Sequence, residues 1–195
     1  MSYTSCRLIA LTLVTLLWGS VLRVSAQDVT EVSLKGAFVF NFARFTEWPS
    51  DVMASAGAIS ACVVGDRGVG DALTRAVSGQ RINGHAVTVS IVESNAALPV
   101  CHVLYVSSLA RNRISEIVGV LRETPVLTIS DDETFTKVGG IIQVFIESGK
   151  MRFRINPRSA KRARLQLSSR LLALADLVDV EPVPQTFAGS SAPGR

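Results

Sequence analysis

Between Ile59 and Ser130 the chain alternates short apolar runs with segments of helical periodicity, and this alternation narrows the fold more than any other feature. Residues 59–64 of "ISACVVG" read as a buried strand and "GDALTRAVSG" (70–79) as a helix. In "HAVTVSIV" Val87, Val89 and Ile91 share one face, the period of a strand, and Asn83-Gly84 just before it signals a turn. A strand over 101–106 follows. Ile114, Ile117, Val118 and Leu121 then fall at i, i+3, i+4 and i+7, a surface helix, and "PVLTIS" (125–130) is the next strand. "GIIQVFIE" and "KMRFRI" flank Ser148-Gly149, a two-residue hairpin signal, with Met151, Phe153 and Ile155 inward and Lys150, Arg152 and Arg154 outward. Asn156-Pro157 pairs an N-cap with a first-turn proline and opens a helix expected to run, with a break, to about Val178. The expected class is α/β: a mainly parallel sheet with one antiparallel hairpin, flanked by helices on both faces.

Both ends of the chain stand apart from this pattern. Residues 1–26 carry an early cation, Arg7, an apolar run from Leu8 to Leu22, and Val24-Ser25-Ala26 at its end. This is the layout of a cleavable signal peptide rather than of a retained single-span anchor, because the run is short for a bilayer. No cysteine follows the run, and Cys6 precedes it, so no lipid-attachment site is expected. Residues 27–179 then form one domain, and 180–195, rich in Pro, Gly, Ser and Ala, read as a disordered tail. The formal charge of +4 includes Arg7 and Arg23 of the leader. The mature protein is therefore close to neutral, which argues against nucleic acid as a partner.

Export also bears on the cysteines. Cys62 and Cys101 remain as an even pair in an oxidising compartment, each in the opening half of a strand-like run. If those strands are parallel neighbours the thiols lie toward the same end, and a disulfide is expected over two free buried thiols.

No catalytic set emerges. Gly68-Val69-Gly70 with Glu93 imitates a dinucleotide fingerprint, but Leu73 stands at the third glycine position, so a tight βα turn is the better reading. His85 and His102 lack partners at helical spacing and make a weak zinc site. Asp131-Asp132-Glu133 after a strand reads as a loop or helix-start cluster before a Mg²⁺ site. No metal or other cofactor is called for. Between Lys150 and Arg170 there are eight basic residues and no acid. Arg158, Arg162 and Arg164 near the helix start are candidates for binding an anion, against the plainer reading of a solvated face.

"KGAFVFNFARFTEWP" (35–49) holds four of the chain's eight phenylalanines. On a helical wheel Leu34, Phe38, Phe42 and Phe45 form one stripe, the expected core face, with Trp48 close to it before Pro49 ends the helix. Phe40 falls off the stripe beside Arg44. Phe40, Arg44 and Trp48 are therefore the candidate partner-binding residues.

Taken with "CVVGDRGVGDAL", "CHVLYVSS", "PVLTISD" and "GGIIQVFIESGKMRFRIN", that aromatic helix resembles the YfiR-like family of periplasmic proteins, from about Val32 to Val178. The resemblance implies a regulator that binds the periplasmic sensor domain of an inner-membrane diguanylate cyclase, or another sensor protein, and holds it inactive. It also implies an OmpA-like outer-membrane lipoprotein that titrates the regulator away. Cys62 and Cys101 match the pair bridged in such proteins, whereas a second cysteine pair found in some members is absent. The alternative is a soluble periplasmic receptor for a small ligand held around Asp66 to Gly70 and Asp131. The sequence leaves a homodimer open.

Overall fold

The computed structural model describes residues 26–179; the expected leader, up to its last residue, and the expected tail 180–195 lie outside the described residues. The elements run α1 (Ala26–Arg44), β1 (Thr46–Glu47), α2 (Ser50–Ser55), β2 (Ala58–Val64), α3 (Arg67–Val77), β3 (Arg81–Ile82), β4 (His85–Val92) and β5 (Val103–Val106). They continue with α4 (Arg111–Leu121), β6 (Leu127–Ser130), β7 (Ile142–Glu147), β8 (Lys150–Ile155), α5 (Pro157–Arg162), β9 (Gln166–Leu167), α6 (Ser169–Leu172) and β10 (Asp176–Leu177).

Eight strands form one sheet in the order β10-β8-β7-β6-β5-β2-β4-β3. Its centre, from β4 to β7, is parallel, and the β7–β8 hairpin is antiparallel, as the sequence pattern predicts. The Ser148-Gly149 turn takes positive φ at both residues, +50° and +72°, the conformation that a twisted two-residue hairpin requires. Asn83 and Gly84 do the same, at +49° and +85°, and fold the two-residue β3 antiparallel onto β4 as an additional edge.

Alternation along the strands separates two cores. Ile59, Ala61 and Val63 of β2, with Val103 and Tyr105 of β5, face α1 and α3, while Cys62, Val64, Leu104 and Val106 face α4. The parallel strands bury side chains on both faces, which is why they read as continuous apolar runs. Helix α3 starts at Arg67, three residues before the segment expected from periodicity, because the Asp66 carboxylate accepts from the Val69 amide at 3.0 Å and caps the helix. No helix among the described residues is long and apolar enough to cross a membrane.

Two expectations change. The helix opened by Asn156-Pro157 lasts only to Arg162. Arg164 turns left-handed at φ +58°, after which β9 pairs antiparallel with β1, α6 makes one turn and β10 joins β8. The wheel for α1 was also turned: Val39, Phe40, Phe42 and Ala43 are buried, whereas Leu34 and Phe45 are 38% and 37% exposed. Phe42 of the expected stripe is core and Phe38 packs against it, but the buried face extends to Gly36, Val39, Phe40 and Ala43, at i, i+3, i+4 and i+7. Glycine and alanine carry little hydrophobic signal, yet they let α1 lie against α3. A Cβ on Gly36 would sit 2.8 Å from the backbone of Ala72 and Leu73.

Candidate functional site

In an open α/β sheet, ligands bind outside the strand C-termini where successive crossovers leave in opposite directions. Here that point lies between β2 and β5. The chain passes from β2 through α3, which packs on the α1 side, to β4, and from β5 through α4, on the opposite face, to β6. The crevice is occupied by backbone. Gly65 turns at φ +84° directly against the Ser107 carbonyl, where an added Cβ would lie 2.0 Å from the oxygen. Beside it, between the ends of β2 and β4, a pocket of about 110 Å³ is lined by Gly65, Asp66, Arg67 and Glu93, among others.

The polar groups at this end are joined to one another. Oδ2 of Asp131, just after β6, accepts from Lys35 Nζ at 2.8 Å, Tyr105 Oη at 3.1 Å and Ser107 Oγ at 3.1 Å. Lys35 also pairs with Glu31 at 2.9 Å, one turn earlier on α1. Burial alone would lower the lysine pKa, but the hydrogen bonds to Asp131 and Glu31 outweigh it and hold Lys35 above its ordinary value. Burial, reinforced by the Asp131 charge, pushes the Tyr105 phenol far above its ordinary value. Both groups therefore stay protonated near neutral pH and serve as donors. The cluster fastens α1 to the sheet. Asp66 of the expected ligand cleft is the α3 cap, and Asp132 of the acidic cluster after β6 accepts from the Thr134 amide at 2.8 Å, so both carboxylates organise local turns. Among the described residues no three His, Cys, Asp or Glu side chains are grouped to hold a metal.

The opposite end of the sheet holds the disulfide and both histidines. Cys62 of β2 is bridged to Cys101, just before β5, with the Cα atoms 6.0 Å apart. Nδ1 of His102 accepts from the Ser60 amide at 3.1 Å, and the His102 carbonyl accepts from Trp48 Nε1 at 3.3 Å. The two rings meet edge to face at 6.4 Å. Burial, with a smaller contribution from His85, depresses the His102 pKa below its ordinary value.

The candidate partner-binding residues divide. Phe40 and Trp48 are each 8% exposed, so neither stands on an outer face; both belong to the main core. Arg44 is exposed, its guanidinium 5.7 Å from the Phe40 ring centroid. Of the anion candidates, Arg158 is paired with Asp179 through Nη2 at 2.9 Å. Arg164 holds both oxygens of Asp51 at 2.8 and 2.9 Å. Arg162 makes no ion pair among the described residues and donates to Ser159 Oγ at 2.9 Å. The three do not form one cationic cluster, because folding spends two of them on acids distant in sequence or beyond the basic stretch.

Sequence reasoning passed over Lys35, Tyr105 and Ser107. The one available signal was a lysine set into an otherwise aromatic helix.

A model of the family described as YfiR/HmsC-like matches residues 32–176. None of the curated proteins compared with the chain matches it.

Proposed function

Because the chain belongs to the YfiR/HmsC-like family, we propose that it is a non-enzymatic periplasmic regulator that binds the sensor domain of an inner-membrane signalling enzyme and holds it inactive. The enzyme that fits best is a diguanylate cyclase, which would put the protein in control of cyclic-di-GMP and of biofilm formation. An OmpA-like outer-membrane lipoprotein is the partner expected to compete for it. The family match over residues 32–176 carries this reading. Two structural features agree with it. The Gly65–Ser107 contact closes the crevice between β2 and β5, leaving the pocket of about 110 Å³ beside it, and Lys35, Tyr105 and Ser107 are spent on Asp131. The Cys62–Cys101 disulfide suits an oxidising compartment.

The test is direct. Tagged protein is purified from detergent-solubilised membranes of its own host, retained proteins are identified, and cyclic-di-GMP is measured with and without the gene. A membrane cyclase with a periplasmic domain should be retained, and the nucleotide should rise when the gene is deleted. If no membrane signalling enzyme is retained and the nucleotide level is unchanged, the reading is wrong.

A further inference from the structure

Two arginines carry buried nitrogens that no group among the described residues satisfies. Nε of Arg122, which closes α4, and Nε of Arg162, the last residue of α5, are shielded from solvent and have no hydrogen-bond partner. Neither guanidinium enters an ion pair among the described residues. Ser159 links them in space. Arg162 Nη2 donates to Ser159 Oγ at 2.9 Å, and Ser159 lines a part-open cavity of about 10 Å³ together with Arg122 and Thr128.

Three polar side chains, Arg122, Thr128 and Ser159, reach an otherwise apolar lining. Thr128 Oγ1 accepts from the Ile141 amide at 3.1 Å and Ser159 Oγ accepts from Arg162, so both hydroxyl hydrogens remain to be donated. Both residues are buried, at 4% and 3% exposure. The volume suits about one water-sized atom. A water there could accept from Arg122 and donate to the second lone pair of Thr128 Oγ1 or Ser159 Oγ, so it is the two guanidinium charges, without a counter-ion among the described residues, that favour an anion. An anionic oxygen accepts from every donor and has nothing to donate. Against an anion stands the carbonyl end of α4, worth about half a negative charge, but two whole guanidinium charges oppose it. The neighbouring carboxylate, Glu123, is exposed.

We infer that this cavity is an oxyanion site: one oxygen of a small phosphate or carboxylate group enters between Arg122, Thr128 and Ser159, and Arg162 supplies the second positive charge. The remaining oxygens stay at the solvent-open mouth. The site lies beside the N-terminal end of β6, away from the strand-end cleft, and shares only Arg162 with the anion set expected from the sequence. It does not depend on the regulatory reading.

The experiment is calorimetric titration of the purified protein with inorganic phosphate and, separately, with acetate, each against chloride at equal ionic strength. Melting curves accompany each titration, because a ligand specific to the folded state raises the melting temperature. At least one oxyanion should bind beyond the chloride control, and which one does separates a phosphate from a carboxylate ligand. Arg122→Gln and Arg162→Gln should each weaken that binding by about tenfold or more, the scale of one charge-assisted contact, while Arg164→Gln should leave it unchanged. If either glutamine variant lacks a cooperative melt, Arg122→Lys replaces it, keeping the charge without Nε, and the same loss is expected. The inference is overturned if neither anion binds the wild type beyond chloride. It is also overturned if binding survives loss of Arg122 or Arg162, or if Arg164→Gln weakens it equally.

Discussion

Phe40 lies in the main core with Val39 and Ala43, so truncating it opens a cavity against α3 and the sheet. Phe40→Ala is expected to cost about 3–5 kcal/mol in denaturant unfolding, the range for a buried phenylalanine. Phe45→Ala, at a ring 37% exposed, should stay within about 0.5 kcal/mol. Reversed magnitudes would mean that α1 is rotated about its axis. His102 provides a second residue-scale test. Its Nδ1 accepts the Ser60 amide only when unprotonated, and burial holds its pKa below the ordinary 6.5. The folded state thus binds the proton less readily than the unfolded one. Stability from this group is complete above pH 6.5 and falls as the pH drops from there through the depressed folded value. Unfolding curves across that window should show the decline, and His102→Gln should flatten it. An equal decline in the variant would assign the effect to other groups.

At the scale of elements, two constraints hold the helices and strands together. Gly36 lets α1 approach α3 so closely that any side chain there meets backbone rather than a movable side chain. Gly36→Val should therefore cost about 1–3 kcal/mol, the usual penalty of overpacking, and a neutral result in thermal melting would contradict the close contact. The Cys62–Cys101 bridge spans a sequence separation of 39 and ties β2 to the segment entering β5. In the chain-entropy model its loss removes about 3–4 kcal/mol. Oxidised and reduced protein, compared by urea unfolding, should differ by that order, and unreduced denatured protein should expose no thiol at either position. The elements that sequence pattern located well are those with strong periodicity or defined turns: β4 with its alternation, α4 with its i, i+3, i+4, i+7 face, and the Ser148-Gly149 hairpin. The segment after Arg162 was misread as helix because Arg164, a good helix former, adopts φ +58°. Its ion pair with Asp51, 113 residues away, is invisible to local pattern.

For the whole molecule, the α/β class and the paired cysteines were legible because alternation of strand and helix is written along the chain. The strand-end cluster was not, since Lys35, Tyr105, Ser107 and Asp131 meet only after α1 docks on the sheet. The same blindness affected the docking face. A wheel ranks residues by hydrophobicity, but Gly36 and Ala43 define the buried side of α1 and leave Leu34, Arg44 and Phe45 outward. If the protein represses a membrane sensor through α1, that outward edge is the surface available to it. Arg44 is exposed and contributes little to folding: its guanidinium lies 5.7 Å from the Phe40 ring centroid, a geometry worth about 0.5–1 kcal/mol when exposed. An aromatic and an arginine side by side are common anchors of an interface, and truncating such anchors often costs about 2 kcal/mol or more of binding. Arg44→Ala with Phe45→Ala should therefore give a protein that melts within a few degrees of the wild type, for a loss of about 1 kcal/mol. It should fail to retain its membrane partner and fail to lower cyclic-di-GMP. Phe40→Ala tested beside it should lose both properties through unfolding, with the melting curve showing the cause. A double variant that melts normally and still represses at full strength would exclude this edge of α1 as the docking face.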